Sequence, residues 1–95
     1  MSATHSERER FVAELVRHAP AADSVLAARL MRYSGTFHRL AARDGSLRFA
    51  EQRKFERIKM KIAGLCLDIR CQAVFGSDWL MLTTPDNYSL EVPRI

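Results

Sequence analysis

A chain of 95 residues with 47% hydrophobic and 27% charged side chains is sized for one domain with a modest core, and is too apolar to be a disordered polypeptide. No run approaches the ~18 apolar residues that cross a bilayer, the opening MSATHSERER has no apolar stretch of the secretory kind, and two cysteines do not make a disulfide scaffold. The net charge of +4 favours polyanions mildly, so the expectation is a single domain over residues 1–95, free of membrane and cofactors, with reduced thiols in the cytoplasm.

In chain order, the first helix is expected over residues 7–18. Ser6 followed by Glu9 fits a capping box, Pro20 ends the segment, and Phe11, Val12, Leu15, Val16 and Ala19 share one face. A second helix is expected over 24–43, with Asp23 or Ser24 as its cap and Asp44-Gly45 as its stop. Leu26, Leu30, Tyr33, Phe37 and Leu40 form a heptad seam along it. Phe55, Ile58, Ile62, Leu65 and Ile69 repeat the same spacing in a third helix over 49–67. A short connection between two such seams predicts an antiparallel hairpin of helices 2 and 3.

After Asp68 the pattern changes. Residues 70–75, 79–83 and 88–92 are rich in strand formers and are separated by Gly76-Ser77-Asp78 and Thr84-Pro85-Asp86-Asn87. The fold class is therefore α+β: three helices, then a small antiparallel β-meander packed on them.

Charge is unevenly placed. The segment RFAEQRKFERIKMK, residues 48–61, holds six of the fifteen basic and two of the eleven acidic side chains, which leaves nine of each sign elsewhere. On helix 2, Arg29, Arg32, Arg39 and Arg43 fall within an arc of roughly 80°, and on helix 3, Arg53, Lys54, Arg57 and Lys61 fall within roughly 100°. Each stripe is offset from its own seam in the same rotational sense, so in an antiparallel hairpin both emerge on one side. Eight cations on one face read either as a solvated surface, moderated by Glu51 and Glu56, or as a contact for phosphate or an acidic protein surface.

Three pairs of small residues, Ala27-Ala28, Ser34-Gly35 and Ala41-Ala42, recur at heptad spacing away from the helix 2 seam. Gly35 in mid-helix costs about 1 kcal/mol relative to Ala. Such a row admits a close backbone, either helix 1 or a second subunit in a homodimer.

No catalytic constellation is evident, and no enzyme is expected. His5, His18 and His38 are scattered without a recognisable carboxylate or cysteine partner, and Cys66 and Cys71 lack the further ligands of a zinc site. Trp79 and Tyr88 are expected in the core between sheet and helices rather than as surface platforms for bases.

The order of motifs resembles a group of small phage, prophage and plasmid proteins. The resemblance is carried by Leu30-Met31-Arg32-Tyr33 with Thr36-Phe37-His38-Arg39-Leu40, and by the charged helix from Glu51 to Ile58. It continues through Ile62 with Leu65-Cys66, and through Val74-Phe75-Gly76-Ser77-Asp78, Thr84-Pro85-Asp86 and Val92-Pro93, covering about residues 25–95. It implies a mobile-element accessory protein in a bacterial host cell, in a class that includes inhibitors of bacterial defence systems such as anti-CRISPR proteins. The implied partner is a host defence protein or protein–RNA complex. The charge reading adds a nucleic-acid-binding protein as the alternative, and the small pairs add a homodimeric interaction module.

Overall fold

The computed structural model describes residues 3–94, with side chains from Ser6 to Arg94. Three helices, α1 (Ala3–His18), α2 (Ser24–Ala41) and α3 (Phe49–Asp68), precede three strands, β1 (Gln72–Phe75), β2 (Leu80–Thr83) and β3 (Ser89–Glu91). The strands form one antiparallel meander in the order β1-β2-β3. This is the α+β architecture that the sequence periodicity indicates, and α2 and α3 pack extensively as a hairpin. No described helix is long and apolar enough to cross a membrane.

α1 begins at Ala3, so Ser6 and Glu9 lie inside the helix and do not cap it. Nothing from Ala3 to Arg10 breaks a helix, since Pro and Gly are absent there. The other end is set by Pro20; the last bond is Ala19 N–H to Leu15 O at 2.8 Å. Asp23 is the N-cap of α2, with its carboxylate accepting from the Leu26 N–H at 2.8 Å. Asp23→Ala is expected to cost about 1 kcal/mol, read as a shift in the urea midpoint.

α2 stops at Ala41, two residues before the expected end. Arg43 N–H and Asp44 N–H reach back three residues, to Leu40 O and Ala41 O, and Gly45 adopts φ +95°. This tightened turn removes Arg43 from the helix. It also brings α3 back antiparallel, with Leu47 buried beneath the connection.

The end of α3 is closed by paired bonds, Arg70 N–H to Leu67 O and Cys71 N–H to Cys66 O, through a left-handed Arg70 (φ 61°). Strand pairing therefore starts at Gln72 rather than at residue 70. A side chain in that conformation costs about 1–2 kcal/mol, so Arg70→Gly is expected to raise stability by up to about 1 kcal/mol in a chemical unfolding curve.

The core lies between the hairpin, α1 and the inner face of the sheet. Leu80 and Leu82 of β2 are fully buried, with Ala73, Phe75 and Leu90 packed beside them. At the β2–β3 turn, Asn87 N–H donates to Thr84 O, Asn87 is left-handed (φ 66°), and Thr84 N–H donates to Tyr88 O. Gly76 has a steric role: a Cβ there would stand 1.9 Å from an atom of the Trp79 indole. Gly76→Ala therefore has to displace the ring, with a loss of about 1–3 kcal/mol and a red shift of tryptophan emission.

Candidate docking surface on the helical hairpin

α2 is buried over a wider arc than its heptad seam because it contacts α1 as well as α3. Leu30, Phe37 and Leu40 of the seam are buried, whereas Leu26 and Tyr33 are only partly so. The remaining burial falls on Met31 and on one member of each small pair: Ala27, Ser34 and Ala41 are enclosed, Gly35 is partly exposed, and Ala28 and Ala42 face solvent. By helical geometry the arginine stripe then lies roughly 160° from the centre of the buried arc, on the far side of α2.

All eight cations, Arg29, Arg32, Arg39, Arg43, Arg53, Lys54, Arg57 and Lys61, are exposed. They are not equally free. Arg43 makes a two-pronged contact with Glu51, at 2.7 and 3.3 Å, across the turn between the helices. Glu51 also accepts from the Arg48 N–H at 3.2 Å, so one carboxylate both caps α3 and clamps the hairpin. Those two bonds, the backbone one first, hold its pKa below the ordinary carboxylate value. Arg39 donates to Thr36 Oγ1 at 3.1 Å, and Arg53 sits over the Phe49 ring. Lys61 Nζ reaches across to α2, 5.9 Å from the Tyr33 ring centroid. Among the described residues, Arg29, Arg32, Lys54 and Arg57 make no ion pair.

The side of α3 opposite the core carries three large apolar residues that sequence reading passed over: Phe49 and Met60 are 73% exposed and Leu67 is 74% exposed. A shallow groove of about 420 Å³ runs between Phe49 and Met60, with Gln52, Arg53, Glu56 and Arg57 as its other walls. A larger groove of about 650 Å³ lies between α1 and β3, rimmed by Glu7, Arg10, Glu14, Glu91 and Arg94. Signs are mixed there, and two of its rim charges are already paired: Glu14 with His18, and Arg94 with Asp78 at 3.1 Å. On the hairpin, by contrast, the exposed charge is of mostly one sign, and four of its cations have no ion pair among the described residues.

Elsewhere the structure corrects two expectations. His18 has carboxylate partners after all: its Nδ1 lies 2.7 Å from Asp86 and its Nε2 lies 3.4 Å from Glu14. Its ring also stacks on Tyr88, with centroids 3.9 Å apart. Tyr88 and Trp79 are 39% and 36% exposed, so they line the surface of the sheet and not the core. Each is held in a turn, Tyr88 by its N–H to Thr84 Oγ1 and Trp79 by its carbonyl, which accepts from the Gly76 N–H. The His18 ring, with Glu14 on one nitrogen and Asp86 on the other, latches α1 to the β2–β3 turn. This is a fastening rather than a base with a free nitrogen.

The latch has a pH signature. Hydrogen bonds from His18 and then from Thr84 lower the Asp86 pKa from 3.8 to about 2. Such a carboxylate contributes stability that is present above pH ~4 and lost as the pH falls through about 2. The melting temperature is expected to drop over that window in the wild type and less steeply in Asp86→Asn. His18→Ala should move the Asp86 carboxyl back towards its ordinary value in an NMR titration. It also loses the stacked ring pair, worth about 0.5–1.5 kcal/mol.

Both thiols are buried and His38 is partly so. Burial raises the Cys66 thiol to about 12, with the neighbouring Cys71 adding to it, and burial also raises Cys71. His38 sits beside Ser34, 3.3 Å from its hydroxyl, and its pKa is lowered by burial first and then by Arg94. The His5 side chain lies outside the described residues. No group of three or more His, Cys, Asp and Glu that could hold a metal ion occurs among the described residues.

No protein-family model, curated protein or solved structure matches this chain.

Proposed function

We propose that this is a non-catalytic docking protein of a phage or other mobile element. It acts in the cytoplasm of a bacterial host and inhibits a defence complex, in the anti-CRISPR manner, by occupying an acidic surface. The observation that carries this reading is the row of exposed cations on the α2–α3 hairpin, of which Arg29, Arg32, Lys54 and Arg57 make no ion pair among the described residues. Like-charged neighbours four residues apart, such as Arg53–Arg57 and Arg57–Lys61, each cost a few tenths of a kcal/mol. A surface that retains such repulsion is suited to an anionic partner. The mobile-element assignment comes from the resemblance of residues 25–95. Tagged protein expressed in cells that carry the defence complex is expected to co-purify with it and to abolish immunity; neither a stable complex nor any loss of immunity would leave the reading without support.

The same cations favour a second reading, contact with nucleic acid. Lys61 packs against Tyr33 from the opposite helix, so at least one cation of α3 stands beside α2, and a phosphate backbone laid along the hairpin would meet exposed cations of both helices. Titration with duplex DNA and with single strands at two salt concentrations separates the readings. Phosphate contact predicts that affinity falls steeply with salt, whatever the sequence.

A further inference from the structure

We infer that the outward side of α3 is a docking seam for an acidic amphipathic helix on a partner protein. This rests on the docking function proposed above and narrows its partner from any acidic surface to one secondary structure with one pattern.

α3 carries two heptads, not one. The first faces the core. The second, Phe49, Arg53, Glu56, Met60, Ala63 and Leu67, advances by four, three, four, three and four residues. It occupies an arc of roughly 80° centred roughly 150° from the core-facing residues. Its three large apolar members are almost three-quarters exposed. Single exposed apolar residues are ordinary, but three in one row along about 27 Å of helix are a patch with a direction. Ala63 and the neighbouring Gly64 keep the surface low between Met60 and Leu67, and another backbone can come close there.

Charge decides among occupants. One flank of the seam carries Arg57, Lys61 and Lys54, with Arg53 on the seam itself, and the seam's one carboxylate, Glu56, is held by Lys59 at 3.2 Å. A second copy of α3, paired antiparallel with Phe49 against Leu67, would set like flank against like, bringing Arg57 beside its own copy and Lys61 beside Lys54. A nucleic acid would satisfy the cations and leave Phe49, Met60 and Leu67 facing water or phosphate. A helix with its own apolar heptad and with glutamates beside it covers the apolar row and answers the flank.

The test uses the full chain and four probes: a Glu-rich peptide with leucines at heptad positions, a shuffled peptide of the same composition, a Lys-rich peptide with the same heptad, and duplex DNA. Methyl resonances of Met60 and Leu67 report binding at the seam. The acidic heptad peptide is expected to shift and saturate them and to bind at least tenfold more tightly than the shuffled or Lys-rich peptide. Met60→Ser with Leu67→Ser should lose at least tenfold, with an unchanged melting curve because both side chains are exposed. Equal binding of the shuffled and heptad peptides would overturn the seam while keeping the acidic-partner reading. Binding of DNA alone would overturn the protein partner, and failure of every anionic probe would overturn both. Shifts of these methyls that depend on protein concentration, with no peptide present, would replace the proposed occupant with a second copy.

Discussion

Phe37→Ala is expected to cost about 3–5 kcal/mol of folding stability, a large part of the 5–15 kcal/mol typical of a domain. Phe37 is 1% exposed and stands where three elements meet. Its ring stacks on Phe55 of α3 at 5.6 Å and meets Phe75 of β1 at 5.4 Å, while its own backbone belongs to α2. Truncation leaves a cavity that no single neighbour can fill by a rotamer change, because collapse would have to draw the hairpin and the sheet together. For a domain of this size each kcal/mol corresponds to about 4–8 °C, so the thermal midpoint should fall by well over ten degrees. Phe37→Leu keeps most of the volume and should cost less than about 1.5 kcal/mol. A midpoint for Phe37→Ala within a few degrees of wild type would mean that the sheet is not fastened to the hairpin through this ring.

The contrast between Phe37 and His18 shows where sequence reading reaches its limit. Phe37 belongs to a seam whose spacing repeats within one helix, and the partner seam of α3 follows after a short turn. Local periodicity therefore contains the whole hairpin. The β2–β3 turn is equally local, since Thr84-Pro85-Asp86-Asn87 specifies a chain reversal through residue types alone. His18 and Asp86 lie 68 residues apart, and neither spacing nor composition brings them together. Only the packing of α1 against β3 does so. The second heptad of α3 was present in the spacing of Phe49, Met60 and Leu67. Yet a helix with apolar residues on two sides does not announce which side the rest of the chain will cover. α2 buries the small residues Ala27, Ser34 and Ala41 on the side away from its seam, whereas the second face of α3 stays open. Arg43 leaves the helical stripe for a smaller reason: the helix tightens after Leu40, and the guanidinium turns to Glu51.

Arg32→Glu combined with Arg57→Glu is expected to weaken binding to an acidic partner by at least about 100-fold. Close charge pairs across an interface are worth about 1.5 kcal/mol at the low end, and two such contacts correspond to roughly 100-fold in affinity. Stability should not fall. Both arginines are exposed and make no ion pair among the described residues. Arg57 moreover stands four residues from Arg53 on one side and from Lys61 on the other, so a glutamate at that position turns two repulsive pairs into attractive ones, each worth about 0.2–0.5 kcal/mol. Retention on heparin and affinity for the acidic heptad peptide measure the loss, and a thermal melt measures the fold. The control reverses the same amount of charge on α1, Arg8→Glu with Arg17→Glu, where both side chains are also exposed. A field produced by net charge alone would respond equally to either pair. A surface whose cations touch the partner responds to the hairpin pair first, because Coulomb attraction between exposed groups is screened beyond about 8–10 Å at physiological salt.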